Sequence, residues 1–275
     1  MPRRPLTSPT GRAATLAAVH PNAGLTALYR RKLDALIDAM HKSLVRWLLA
    51  QYRATPPLMA ADDDYGTFGP ARSLTDEMAE LGARWASRFD EAAPELARWF
   101  ATAAKERADG ALAATLRNAG MTVRFTLTPE ARDVMQATIG QNVALIKSIA
   151  AEHLAEVEGA VMRSVAAGRD VGTLAKELEA RFGVTRRRAA FIARSQNGMA
   201  TATITRVRQT ELGVTTALWL HSGGGRHPRP SHRAMTGKPY EVSRGWFDPD
   251  ERQWIWPGVL PNCRCVARSV VSGLD

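Results

Sequence analysis

Residues 214–221 read Val-Thr-Thr-Ala-Leu-Trp-Leu-His. β-Branched and aromatic side chains in such a run suit a half-buried strand, and the run follows Leu212-Gly213, a pair that closes helices. N-terminal to it the pattern is helical; C-terminal to it glycine, proline and tryptophan punctuate the chain. The expected fold class is α+β: a mostly helical N-terminal body, then a small loop-rich α+β C-terminal module over residues 213–275.

Working upstream, Thr185 reads as the cap of a helix that runs through three consecutive arginines to Leu212, and Gly183 as the end of a short amphipathic helix from Asp170. Thr128-Pro129-Glu130 is a cap, a first helical position and an acidic first turn, and the helix it opens is closed by Gly168. Residues 121–127, Met-Thr-Val-Arg-Phe-Thr-Leu, read as a short strand. Before them a helical block runs from Leu74 to Ala119, with Pro94 marking a kink or a new start. Leu33, Ile37, Met40, Leu44 and Leu48 form the apolar stripe of a helix that ends before Thr55-Pro-Pro. Residues 56–72, with Asp62-Asp-Asp, read as a solvated loop. The implied division is a mobile or partner-ordered arm (1–23), a helical N-terminal region (24–127), a second helical region (128–212) and the module (213–275).

The chain has 275 residues, 45% hydrophobic and 23% charged, which is ordinary globular usage. No run approaches the ~18 apolar residues of a membrane span, and no apolar segment follows Met1-Pro-Arg-Arg, so no membrane partner or secretory leader is expected. Two cysteines cannot build a disulfide framework, which points to a reducing compartment. The net charge of +10 is concentrated. Between Ala180 and Tyr240 lie eleven basic residues and one acid, Glu211, so this window alone carries the whole excess.

Such a window suits an anionic partner. Its candidate contacts are Arg186, Arg187, Arg188, Arg194, Arg206 and Arg208, of which Arg187, Arg194 and Arg208 are spaced to share a helix face. The competing reading is a solvated face, or pairing with Glu152, Glu156, Glu158, Glu177 and Glu179 on the preceding helices. Aromatic residues do not interleave with the arginines, so base stacking and sequence-specific reading of nucleic acid are not indicated.

His227, His232, Cys263 and Cys265 carry the chemistry of the module, with His221 as a fifth donor. Two imidazoles and two thiolates suit tetrahedral zinc, and a thin module gains from such a clip. The alternative is that Cys263 and Cys265 alternate on a strand as small buried groups while the histidines cap turns. A nuclease would use His227 or His232 to activate water with Asn262 orienting it, but Glu241, Asp248, Asp250 and Glu251 form no paired-carboxylate motif. Gly223-Gly224-Gly225 lacks the Lys-Ser/Thr of a nucleoside-triphosphate loop and reads as a turn tip.

Five blocks in order, Phe182-Gly-Val-Thr-Arg-Arg-Arg-Ala-Ala-Phe-Ile-Ala-Arg-Ser-Gln-Asn197, Glu211-Leu-Gly-Val214, Trp219-Leu-His-Ser-Gly223, Arg229-Pro-Ser-His-Arg-Ala-Met-Thr-Gly-Lys238 and Pro261-Asn-Cys-Arg-Cys265, resemble the phage head-morphogenesis family, the phage Mu protein F-like minor capsid proteins. The resemblance covers roughly residues 130–270. It implies a minor capsid protein of a tailed phage or prophage, structural rather than enzymatic, acting in portal-associated head assembly and in genome packaging or delivery. The implied partners are the portal protein, scaffold or major capsid protein, and packaged DNA without sequence preference. The implied location is the virion, at the capsid interior or portal vertex, and the host cytoplasm during assembly. The alternative is a metal-dependent nuclease or host-directed effector carried in the head. Many relatives have Cys-Pro-x-Cys where this chain has Arg229-Pro-Ser-His232, and His-Pro-x-Cys-Arg-Cys where it has Leu260-Pro-Asn-Cys-Arg-Cys265. His232 thus stands for one cysteine, Leu260 replaces a histidine, and His227 would have to supply a missing ligand.

Overall fold

A computed structural model of the chain describes residues 7, 13–54, 70–167, 170–224 and 227–272, the first four residues of the second helix by backbone alone. In chain order the elements are β1 (Ala14–Thr15), α1 (Ala23–Ala54), α2 (Pro70–Asn118), α3 (Pro129–Ala166), α4 (Val171–Glu211), β2 (Thr216–Leu220), α5 (Pro230–Ala234), β3 (Pro239–Glu241), β4 (Trp246–Asp248), β5 (Gln253–Ile255) and β6 (Val266–Val271). The protein is α+β, with long helices through Glu211 and small antiparallel sheets after it. The chain packs as two units built from non-contiguous segments, rather than divided at residues 127 and 212. One unit takes residues 29–97 and 141–192; the other takes 1–28, 98–140 and 193–275.

The first unit is helical. Leu33, Ile37, Met40, Leu44 and Leu48 are all buried along α1, as the stripe requires, each worth about 1.5–3 kcal/mol relative to exposure. The Tyr29 hydroxyl donates to Asn142 Oδ1 at 2.8 Å, and burial pushes its phenol well above the ordinary range. Two expected breaks do not form. Helix α2 runs through Pro94, because Ala93 and Ala97 are fully buried beside it and packing outweighs one lost backbone bond. Helix α4 runs through Gly183, and Thr185 caps nothing: its hydroxyl donates to the Arg181 carbonyl and accepts from His153 Nδ1. The Asp62 triplet and Gly168 lie outside the described residues.

His153 is buried in this unit, edge-on to His41, which stacks on Phe182 at 4.1 Å. Burial, then the charge of His41, lowers His153 to about 4. Between the ordinary value of 6.5 and about 4 the unfolded chain binds more protons than the folded unit, so stability falls as pH falls through that window and levels off below it. The shift corresponds to about 3 kcal/mol at most. Thermal unfolding measured from pH 7 to pH 4 is expected to show this slope, and His153→Gln to flatten it.

The second unit carries the sheets. Strand order is β1-β6-β2-β3, all antiparallel, with Ala217 opposite both Ser269 and Tyr240; β4 and β5 form a separate ribbon. The core centres on Trp219, fully buried and edge-on to Tyr240 and Trp246. Within residues 13–22, expected as part of a mobile arm, β1 joins the sheet and the segment after it packs on the core. β1 pairs with the edge of β6, the Leu16 N–H donates to the Ser269 carbonyl at 2.8 Å, and Leu16 and Val19 are buried. Pairing covers the end of the β6 edge, a gain that composition does not reveal. The rest of that arm, apart from Thr7, lies outside the described residues. Residues 121–127 are no strand: the alternation buries Met121 and half-buries Val123 and Phe125 against the core, but among the described residues no strand pairs with them. Thr128 caps α3 as expected, its Oγ accepting from the Ala131 N–H. Gly213, at φ 71°, closes α4, with Val214 N–H donating to the Gln209 carbonyl.

Arg208 on α4 is fully buried. Its Nε and one terminal nitrogen grip Asp109 of α2 at 2.8 and 2.9 Å, and the other terminal nitrogen reaches Glu211 at 2.7 Å. Lys105 also binds Asp109, at 2.8 Å, so the cluster is neutral overall. Asp109→Ala strands a buried guanidinium and is expected to cost about 3–5 kcal/mol in chemical denaturation, whereas Arg208→Met with Asp109→Leu recovers most of the loss.

Candidate functional site

The site is assembled by a turn, a five-residue helix and a strand of the sheet-bearing unit. Leu260-Pro-Asn-Cys263 is a type II turn: Pro261 sets its first corner, Asn262 takes the left-handed second corner at φ 60°, and Cys263 N–H closes it on the Leu260 carbonyl at 3.0 Å. The Asn262 N–H donates to Ser195 Oγ of α4 at 3.1 Å, which anchors the turn. Cys265 follows two residues later, before β6. Both cysteines precede the strand, which starts at Val266, rather than alternating along it. Pro230 opens α5 and places His232 in the core, 2% exposed.

His232 Nδ1 lies 3.5 Å from Cys263 Sγ and 3.7 Å from Cys265 Sγ. Its Nε2 lies 3.2 Å from Asp248 Oδ2 of β4. An ionised carboxylate only accepts, so Nε2 carries the proton and Nδ1 turns a lone pair to the sulfurs. Asp248 is fully buried and has further donors: Ser231 hydroxyl on Oδ2 at 3.2 Å and Asp250 N–H on Oδ1 at 3.0 Å. The Trp219 ring packs edge-on to His232 at 5.1 Å.

The sulfurs sit among N–H groups. The Cys265 thiol and the backbone N–H groups of Cys265 and Gly258 lower the Cys263 thiol well below the ordinary range, against the effect of burial. Cys265 is pushed up by its neighbour Cys263 and by burial, against the opposing pull of the Trp219 indole and the Ser222 N–H. Gly258 has φ 86°, and a Cβ there would meet Ala202 Cβ and the Cys265 carbonyl at 3.0 Å. Only glycine brings that N–H so close to the sulfur.

Three of the four expected ligands are thus brought together: His232, Cys263 and Cys265 have donor atoms within 4.8 Å of one another. His227 is exposed and stands apart from that group. His221 Nδ1 accepts from the Gly223 N–H at 3.0 Å, and His221 stands outside that group. Asp248, counted in the sequence as one unpaired carboxylate among four, is the residue sequence reasoning missed. No local signal marks it, since its partner lies 16 residues away on another element. Asn262 contributes backbone geometry.

The arginines separate. Arg208 is buried on Asp109 and Glu211, so it is no contact for phosphate or partner; its acids lie on α2 and one turn along α4, not on the preceding helix. Arg186 reaches Asp34 at 3.2 Å and Arg188 reaches Glu152 at 2.7 Å. Arg206 lies half-buried over the Trp256 ring at 4.0 Å. Arg187 and Arg194 are exposed.

Residues 155–268 match the family described as phage Mu protein F-like protein. Over this segment the chain is similar to the phage Mu protein F-like family. The matched segment contains all of α4, all three donors of the cluster, and Asp248. An uncharacterized protein of Haemophilus influenzae (strain Rd) is 33% identical over 139 residues, half of this chain and 30% of that relative's length. No solved structure matches. Within the Mu F-like segment, the Ser-Gln-Asn block has structural work: Ser195 holds the cysteine turn, and fully buried Asn197 donates to the Asn22 carbonyl and Thr26 Oγ1 at the start of α1.

Gly258→Ala is expected to lower stability by about 1–3 kcal/mol in thermal or denaturant unfolding. Gly110→Ala, on a helix with open space around it, is expected to be neutral or to stabilise by up to about 1 kcal/mol in the same assay.

Proposed function

We propose that the chain is a minor head protein of a tailed phage or prophage, acting in portal-associated head assembly and in genome packaging or delivery. The observation that carries this reading is the family match over residues 155–268, which includes the whole donor cluster. Its partners on this reading are the portal protein, scaffold or major capsid protein, and packaged DNA bound without sequence preference. Its place is the virion, with the host cytoplasm as the site of assembly. Among the described residues no helix is long and apolar enough to cross a membrane.

The basic window supports the reading in a reduced form. Of the six candidate arginines, Arg208, Arg186 and Arg188 are engaged with acids and Arg206 is half-buried, which leaves Arg187 and Arg194 exposed for phosphate or an acidic protein. A nuclease using His232 fits less well. Its Nε2 faces Asp248 and its Nδ1 faces two sulfurs, so neither nitrogen is left to take a proton from water.

Co-expression with the portal gene of the same phage or prophage tests the proposal: the chain is expected to co-sediment with portal rings or procapsids, and failure to do so would sink it. For the DNA contact, Arg187→Ala and Arg194→Ala are each expected to reduce the slope of log affinity against log salt by about 1. Unchanged slopes would remove both residues from the interface.

A further inference from the structure

We propose that His232, Cys263 and Cys265 bind a zinc-class divalent ion as a two-thiolate, one-imidazole centre, with Asp248 holding the imidazole from outside and the fourth position left to a donor this chain does not supply. The proposal rests on the geometry of the cluster and stands apart from the role in the phage head.

The first argument is distance. Zinc bonds of about 2.3 Å to sulfur and about 2.0–2.1 Å to nitrogen, at tetrahedral angles, place sulfur and nitrogen ligands roughly 3.6 Å apart. The two S···N edges here are 3.5 and 3.7 Å. Two edges of one tetrahedral face, contributed by two separate stretches of chain, already have that length, and all three donors lie within 4.8 Å of one another.

The second argument is the surroundings of each donor. Metal-bound histidines commonly give their other ring N–H to a carboxylate, which fixes the tautomer and strengthens the ligand. Asp248 does this for His232 and is itself held by Ser231 and the Asp250 N–H. Plain buried thiols need no such donors, whereas thiolates do. Backbone N–H groups of Gly258 and Cys265 point at Cys263, and that of Ser222 at Cys265. The buried Trp219 indole N–H has no hydrogen-bond partner of ordinary geometry, and its electrostatic effect falls on Cys265. It is the donor an anionic sulfur at Cys265 would take up.

The third argument is charge. Two thiolates alone could not lie in the core around Trp219, where Cys263 is 9% and Cys265 4% exposed. A divalent ion makes the group neutral and removes that cost. Among the described residues no further histidine, cysteine, aspartate or glutamate joins these three donors, which assigns the fourth position to water or to a partner's donor.

The test uses the full chain, purified reduced, stripped with chelator and refilled with cobalt(II). A tetrahedral visible spectrum with charge-transfer intensity from two thiolates is expected, lost on adding zinc. Cys263→Ser should halve the charge-transfer intensity, Asp248→Asn should weaken cobalt binding about 10–100-fold, and His227→Ala should change neither. Azide should shift the cobalt bands by entering the fourth position. Folded wild-type protein that takes up neither cobalt nor zinc at micromolar levels overturns the proposal. Loss of binding in His227→Ala, or bands indifferent to azide, overturns the three-ligand assignment. Because Asp248→Asn and His227→Ala keep all three ligands, the contrast between them remains readable even if the cysteine variant does not fold.

Discussion

Arg208 is the constraint on which the sheet-bearing unit depends. A guanidinium with no exposed surface is tolerable only when its charge and its donors are met, and here Asp109 takes two bonds and Glu211 a third. Burial alone would lower its pKa, but these partners outweigh that and raise it. Glu211 passes the connection on, accepting from the Thr128 hydroxyl, whose oxygen in turn caps α3. One side chain thereby ties α2, α4 and the start of α3 in a single geometry. Phe125 packs under the guanidinium at 5.0 Å, which gives the extended segment before Thr128 a reason to lie where it does. Replacing such a network with apolar groups need not cost stability. Its contribution is positional.

With α4 held in this way, its other polar residues become anchors. Ser195 receives the turn that carries Cys263, Asn197 binds the start of α1, and Gln209 donates to Ser269 on β6 at 2.9 Å. The cysteine turn is therefore referenced to a rigid helix. His232 is referenced separately, through Asp248 and the ribbon. The match between the sulfur and nitrogen positions is a property of how these two supports meet around Trp219.

Much of the fold was legible. The strand at Val214, the stop at Leu212-Gly213, the Thr128-Pro129 cap and the stripe of α1 rest on local rules, and each is realised. The misreadings share a cause. Pro94 and Gly183 look like breaks by local propensity, but α2 and α4 run through them, at Pro94 with Ala93 and Ala97 buried beside it. Residues 14–15 look like part of an arm until β6 supplies an edge to pair with. The alternation at 121–127 does report burial, yet pairing needs a partner strand, which alternation does not encode.

For the site, residue type and spacing identified His232, Cys263 and Cys265, because few side chains combine soft donors so closely and the surrounding motifs are specific. The same reasoning named His227, which is exposed, and grouped Arg208 with Arg187 and Arg194, because a seven-residue spacing reports a shared face and not what covers it. The sequence by itself determined which chemistry is present: two thiols, nearby imidazoles, a concentrated basic window and the family motifs. Only the tertiary structure decided that Asp248 completes the cluster and that Arg208 is a core residue. Both depend on contacts between segments distant in the chain, Asp248 to His232 across 16 residues and Arg208 to Asp109 across 99. No local pattern carries that information.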